Sequence, residues 1–112
     1  MSYDPHFDSK VVHAVQSFEQ VTGAVMPPIF LASTYAQESP GVHKGFEYTR
    51  SHNPTRYALE RCIARLEGSM LTEAQDVSYG GFAFSSGMAA ISTTLDLLDS
   101  GDHIVAMDDL YG

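Results

Sequence analysis

The chain has 112 residues, and its 6 Lys+Arg stand against 14 Asp+Glu, a formal charge of -8 with the histidines neutral. Nucleic-acid binding and attachment to an anionic membrane both need clustered cations, and here they are scattered singly, so the composition excludes both classes. At 44% hydrophobic and 18% charged residues, the sequence reads as folded protein of one domain at most, not a disordered tail.

Cys62 is the single cysteine, so no internal disulfide can close, and no Cys/His pair has structural zinc spacing. A reducing, cytoplasmic setting is the expectation. The first residues lack a basic stretch followed by an apolar one, which predicts no secretory signal. Residues 25–32 form the longest apolar run, far short of a bilayer span and broken by Pro27-Pro28.

Taken in chain order, Val11, Val12, Val15 and Phe18 predict one short amphipathic helix over residues 9–18. Residues 19–52 then show no sustained period, only Gly23, Pro27, Pro28, Pro40, Gly41 and Gly45 between short apolar pieces. Compact domains rarely hold so long a structureless loop, so the segment is expected to be an extended arm lying on another surface. Asn53-Pro54-Thr55 places a capping residue before a proline at the first helical position. Leu59, Cys62, Ile63 and Leu66 follow at i, i+3, i+4 and i+7, with Glu60, Arg61, Arg65 and Glu67 around the other side, and Gly68 stops the helix. Cys62 is expected to be an inert buried thiol on the apolar face.

A helical turn is expected near residues 71–75, then a brief strand over Gly80-Gly81-Phe82-Ala83-Phe84. The turn Ser85-Ser86-Gly87-Met88 opens a second helix with Ile91, Leu95 and Leu98 inward, and residues 103–107 form a second, β-branched strand. Strand, helix, strand predicts a right-handed parallel crossover. A parallel sheet is covered on both faces, and two strands cannot finish one, so the 112 residues are expected to be only the start of a larger α/β unit.

Three places could carry chemistry. Small residues at Ser85, Ser86 and Gly87 would let an anion approach the free N–H groups of a helix N-terminus, although the same turn could simply cap the helix. Arg50 offers a planar fork of donors and Tyr48 a neutral hydroxyl, a pair suited to phosphate if the fold brings an anion to them. Tyr111, behind Asp108-Asp109 at the end of the second strand, could offer a flat face to a ring and a hydroxyl for proton transfer. The five histidines are scattered and Asp108-Asp109 lacks a nearby His ligand, so no metal site is predicted.

Several motifs in register resemble the Cys/Met-metabolism family of pyridoxal-phosphate (PLP) enzymes. They are Thr22-Gly23-Ala24-Val25 with Pro27-Pro28-Ile29, Ser33-Thr34-Tyr35, Phe46-Glu47-Tyr48-Thr49-Arg50, Asn53-Pro54-Thr55-Arg56, Leu66-Glu67-Gly68, Ser85-Ser86-Gly87-Met88-Ala89-Ala90 and Asp108-Asp109-Leu110-Tyr111-Gly112. The resemblance implies an aminotransferase-like α/β large domain of fold type I, represented by its first strands and helices. Residues 1–52 would be the N-terminal helix and inter-subunit arm, and residues 53–112 the start of the PLP-binding domain. It also implies that Tyr48 and Arg50 bind the cofactor phosphate of a neighbouring subunit, while Ser86, Gly87 and Met88 hold that of their own. Tyr111 would stack on the pyridine ring and move protons. The implied assembly is a homo-oligomer, a tetramer built from dimers that share active sites.

The implied reaction is elimination or replacement at a sulfur-bearing amino acid. Cystathionine γ-lyase activity, giving cysteine, 2-oxobutanoate and ammonia, is the first expectation; cystathionine γ-synthase, methionine γ-lyase and O-acylhomoserine sulfhydrylase are alternatives. The lysine that anchors the cofactor, the acid at its ring nitrogen and the arginine that grips the substrate carboxylate match no position in these residues. A different class of reading is therefore a non-catalytic fragment or paralogue that binds a full-length subunit.

Overall fold

A computed structural model of the chain describes residues 6–13 and 18–110. The first helix, α1 (Phe7–His13), carries Asp8 in its first turn and Lys10 and His13 in its last, charges that complement the helix dipole. It leans on the longer helix described below. The helix expected over residues 9–18 is found only to His13; residues 14–17 lie outside the described residues, and Phe18 is exposed and not helical.

A tight turn follows, organised by one carboxylate. Glu19 accepts hydrogen bonds from the Val21 and Thr22 amides at 3.0 and 2.7 Å and from the Thr22 hydroxyl at 2.8 Å. Those donors, the Val21 amide foremost, hold its carboxyl below the ordinary value. Gly23 closes the turn at φ +71°, where a side chain would be strained.

The arm then contains structure that the sequence pattern did not announce. Strands β1 (Gln37–Ser39) and β2 (Val42–His43) form a small antiparallel hairpin, with Gly41 at φ +78° in its turn and its amide donating to Gln37 Oε1 at 3.0 Å. Just outside it, Thr34 and Tyr48 form an isolated antiparallel bridge. The Tyr35 amide donates to the Glu47 carbonyl at 3.0 Å, and the Thr49 amide to the Ser33 carbonyl at 2.9 Å.

Helix α2 (Pro54–Leu66) forms where expected. Asn53 caps it, Oδ1 accepting from the Thr55 and Arg56 amides at 2.8 and 3.3 Å. Gly68, at φ +89°, ends it, and the Ser69 amide reaches back to the Ala64 carbonyl at 2.8 Å. Its packing face is not the expected one. The buried residues are Glu60 and Ala64, while Leu59 and Ile63 remain 55% and 49% exposed and Cys62 is half-buried. The loop over residues 78–83 is what covers the buried face: a Cβ on Gly81 would lie 2.4 Å from the Glu60 carbonyl oxygen, so backbone meets backbone there. A short turn over residues 72–76, in the place expected, leads into that loop.

Helix α3 (Gly87–Leu95) follows. The expected strands over residues 80–84 and 103–107 do not form among the described residues, and neither does the parallel crossover between them. Both stretches lack a neighbour to share the ladder of N–H and C=O groups, and Val105 is fully exposed. For the same reason Ile91, Leu95 and Leu98 are exposed instead of inward, since among the described residues α3 packs on none of the other helices or strands.

Candidate functional site

The segment that carries Tyr48 and Arg50 is tied to the N-terminal turn of α2 from several directions. Asn53, besides capping the helix, donates through Nδ2 to the Phe30 carbonyl at 3.0 Å and to Thr49 Oγ1 at 3.2 Å. Thr49 Oγ1 donates to the Ala32 carbonyl, and the Thr55 hydroxyl donates to the Pro28 carbonyl at 2.8 Å while accepting the Phe30 amide at 2.9 Å. Arg56 reaches back from the first turn of α2 and donates to the carbonyls of Arg50, at 3.2 Å, and Ser51. Rings fill the space beneath: Tyr35 against Phe46 at 5.5 Å between centroids, and Phe46 against Tyr57 at 5.9 Å. Burial, then the Glu60 carboxylate, push the Tyr57 hydroxyl above its ordinary pKa.

On this platform the Arg50 guanidinium lies over the Tyr48 ring, 5.0 Å from its centroid. Neither side chain is buried, and Arg50 has no carboxylate partner among the described residues. The chain is strongly acidic, so a cation left without an ion pair beside a tyrosine is a ready anion contact.

The second anion contact is the start of α3. Ser86 is the N-cap, in extended backbone at φ -154°, and its Oγ accepts from the Ala89 amide at 3.1 Å. Capping leaves the hydroxyl hydrogen of Ser86 available to donate. The amides of Gly87 and Met88 have no acceptor among the described residues, as the opening of a helix dictates. Beyond its chain neighbours and the helix's own backbone, nothing lies within 4 Å of where a Cβ on Gly87 would stand. The partial positive charge of the helix end adds to the two amides.

No hydrogen bond or ion pair joins Tyr48 or Arg50 to residues 86–88. Tyr111 lies outside the described residues. No group of three His, Cys, Asp or Glu side chains lies together as metal ligands among the described residues.

The family of Cys/Met metabolism PLP-dependent enzymes matches residues 8–112. The chain belongs to that family. It is 58% identical over 107 residues to a cystathionine β-lyase of Coxiella burnetii, covering 96% of this chain and 25% of that protein. Human cystathionine γ-lyase is 46% identical over 108 residues, covering 96% of this chain and 24% of that one. Among solved structures, a cystathionine γ-lyase from Lactobacillus plantarum complexed with L-serine superposes with a TM-score of 0.69 at 40% identity, over 87% of this chain and 23% of that one. The metB protein of Corynebacterium glutamicum superposes with a TM-score of 0.73 at 39% identity, over 90% and 25%. The chain thus spans about a quarter of the length of the relatives it matches, and its fold is the opening portion of a PLP-dependent α/β enzyme of fold type I.

The residues present fit the headgroup of pyridoxal phosphate. A phosphate near neutral pH carries close to two negative charges and presents several acceptor oxygens. The Arg50 guanidinium, the Tyr48 hydroxyl, the Ser86 hydroxyl and the Gly87 and Met88 amides are all donors, and among the described residues no carboxylate pairs with Arg50 to compete.

Residue-type reasoning missed Arg56 and Glu60. Arg56 figured only as the end of a motif, and Glu60 was placed on the solvent side of α2. Their spacing of four along a helix was the available signal.

Proposed function

We propose that the complete protein is a PLP-dependent carbon–sulfur lyase acting on cystathionine, and that this chain supplies both halves of its phosphate grip. The observation that carries the second part is the pair of donor sets described above, one on the arm and one at the start of α3. Following the resemblance to the family, the phosphate is gripped between two copies, Tyr48 and Arg50 reaching from one to Ser86, Gly87 and Met88 of the other. The assembly is then a homo-oligomer of at least a dimer, and a tetramer of such dimers satisfies the same requirement.

When bound, the cofactor supplies an electron sink that stabilises negative charge at Cα of the amino-acid substrate. Arg50 fixes the phosphate as a charged fork and Tyr48 adds a neutral hydrogen bond. The α3 amides bring oriented dipoles that need no rearrangement as the reaction proceeds. Tyr111 stacks its ring on the cofactor and holds a transferable proton on its hydroxyl.

Cleavage on the γ side, releasing cysteine, 2-oxobutanoate and ammonia, is the reading that the sequence motifs favoured. The 58% identity to a β-lyase supports a second one, β cleavage to homocysteine, pyruvate and ammonia. A non-catalytic paralogue gains no support from relatives named as lyases and a probable synthase. Incubating the complete protein with cystathionine and measuring the 2-oxo acid separates the two cleavages. Release of neither acid, with turnover of an acylhomoserine and cysteine instead, would replace the lyase by a synthase.

A further inference from the structure

The buried face of α2 carries a charge at a position that the apolar spacing assigned to the solvent side. Glu60 is 6% exposed, and its Oε1 accepts the Ala83 amide at 2.9 Å and lies 3.4 Å from Arg56 Nε, one turn earlier on the same helix. Ala83 stands three residues before the Ser86 cap of α3. Arg56 in turn donates its remaining nitrogens to the Arg50 and Ser51 carbonyls. One ion pair on α2 therefore touches the backbone that leads into the Ser86-Gly87-Met88 turn on one side and the backbone that presents Tyr48 and Arg50 on the other.

We propose that Arg56 and Glu60 are positioning residues that hold the two phosphate-binding segments of each copy in fixed relation through α2. This rests on the reading that both segments bind the cofactor phosphate. A buried carboxylate is costly unless it is paired and hydrogen-bonded, and Glu60 is both. Packing alone would be served by an apolar side chain here. What a carboxylate adds is a fixed acceptor for the Ala83 amide and an anchor for the guanidinium that holds the arm. Gly81 reinforces the register, because its missing side chain lets the loop backbone rest on the Glu60 carbonyl.

In the complete protein this predicts coupled effects on cofactor affinity. Arg56→Lys keeps a cation beside Glu60 but cannot reach both arm carbonyls at once. Glu60→Gln keeps an acceptor for the Ala83 amide but removes the ion pair. Each variant is expected to weaken PLP binding about tenfold, and the two together little more than either alone, because they act through one connection. In an Arg50→Ala background, Arg56→Lys should add almost nothing. Affinity is read by equilibrium dialysis of PLP, with thermal unfolding of the cofactor-free protein as the control for a merely structural loss.

Additive effects, or full affinity in both single variants while Arg50→Ala is impaired, would overturn the positioning role and leave the phosphate reading standing. Unchanged affinity in Arg50→Ala would instead remove the phosphate reading on which the proposal is built.

Discussion

The arm with α2 and the stretch from Phe84 onward share one chain but are organised in opposite ways. The first is interlocked: Thr49, Asn53, Thr55 and Arg56 each bond across to other segments, so the backbone near Tyr48 and Arg50 is held from several sides. The second has one capped helix, no strand among the described residues and no such cross-links; apolar residues face outward in both regions, Leu31 of the arm as well as Val105. The side-chain hydrogen bonds of the first region find their partners within the described residues, at separations of up to 27 positions, whereas a parallel strand needs a neighbouring strand to share its ladder. The arm side can therefore be read as a finished presenting device. The α3 side reads as a set of donors waiting for what will be placed against them.

Substitutions in the complete protein can break or sharpen that contrast. The largest effect is expected at the far end of the second region: Tyr111→Phe should keep ring stacking and PLP affinity while kcat falls by about 100-fold or more, the range for a lost proton-transfer group. A wild-type kcat would make the hydroxyl dispensable. On the arm, Arg50→Ala should weaken PLP retention by roughly tenfold or more, since a charge-assisted hydrogen bond is worth about 1.5–3 kcal/mol. Spectrophotometric titration of the cofactor-free protein would measure it.

Two glycines sharpen the contrast through folding stability. Gly81→Ala would drive a Cβ to 2.4 Å from the Glu60 carbonyl oxygen, and overpacking of that kind costs about 1–3 kcal/mol. Gly87→Ala meets open space and should change stability by no more than about 0.5 kcal/mol. Equal losses at the two positions in chemical denaturation would erase the distinction between a packed and an open region.

The smallest effect concerns pH. The Ser78 hydroxyl, then its amide, hold the Asp76 carboxyl below its ordinary 3.8. A depressed carboxylate stabilises the fold fully above its unfolded pKa, and that share is lost as pH falls through the lower, folded value. Asp76→Asn should therefore lower Tm slightly at neutral pH and leave it unchanged at the acid end, below the folded pKa. The same deficit at both ends would dissociate the turn from this titration.

What the sequence disclosed follows the same division. Asn53, Pro54 and Gly68 specify α2 by local chemistry, and Ser86 specifies the start of α3, so both helices were legible. The hairpin was not, because Gln37–Ser39 has no apolar alternation and its register comes from a glycine turn and one glutamine side chain. The packing face of α2 was misread because apolar spacing ranks Leu59 and Ile63 above Glu60, whereas the loop on that helix is polar backbone seeking an acceptor. The strands at residues 80–84 and 103–107 were read from β-branched and aromatic content, which describes a side chain's fit to a sheet but supplies no neighbouring strand.

The sharing of one phosphate between copies is tested most directly by mixing two damaged proteins. Gly87→Pro suits the first position of α3 and the extended backbone of Ser86 before it, yet removes one of the amides aimed at the phosphate. Combined in one oligomer with Arg50→Ala subunits, it leaves some sites with both lesions and others with neither. PLP titration of the mixture, after dissociation and reassembly, should recover a population of wild-type affinity absent from either variant alone. If no such population appears in confirmed mixed oligomers, Arg50 and Gly87 serve the same copy and the shared grip is wrong.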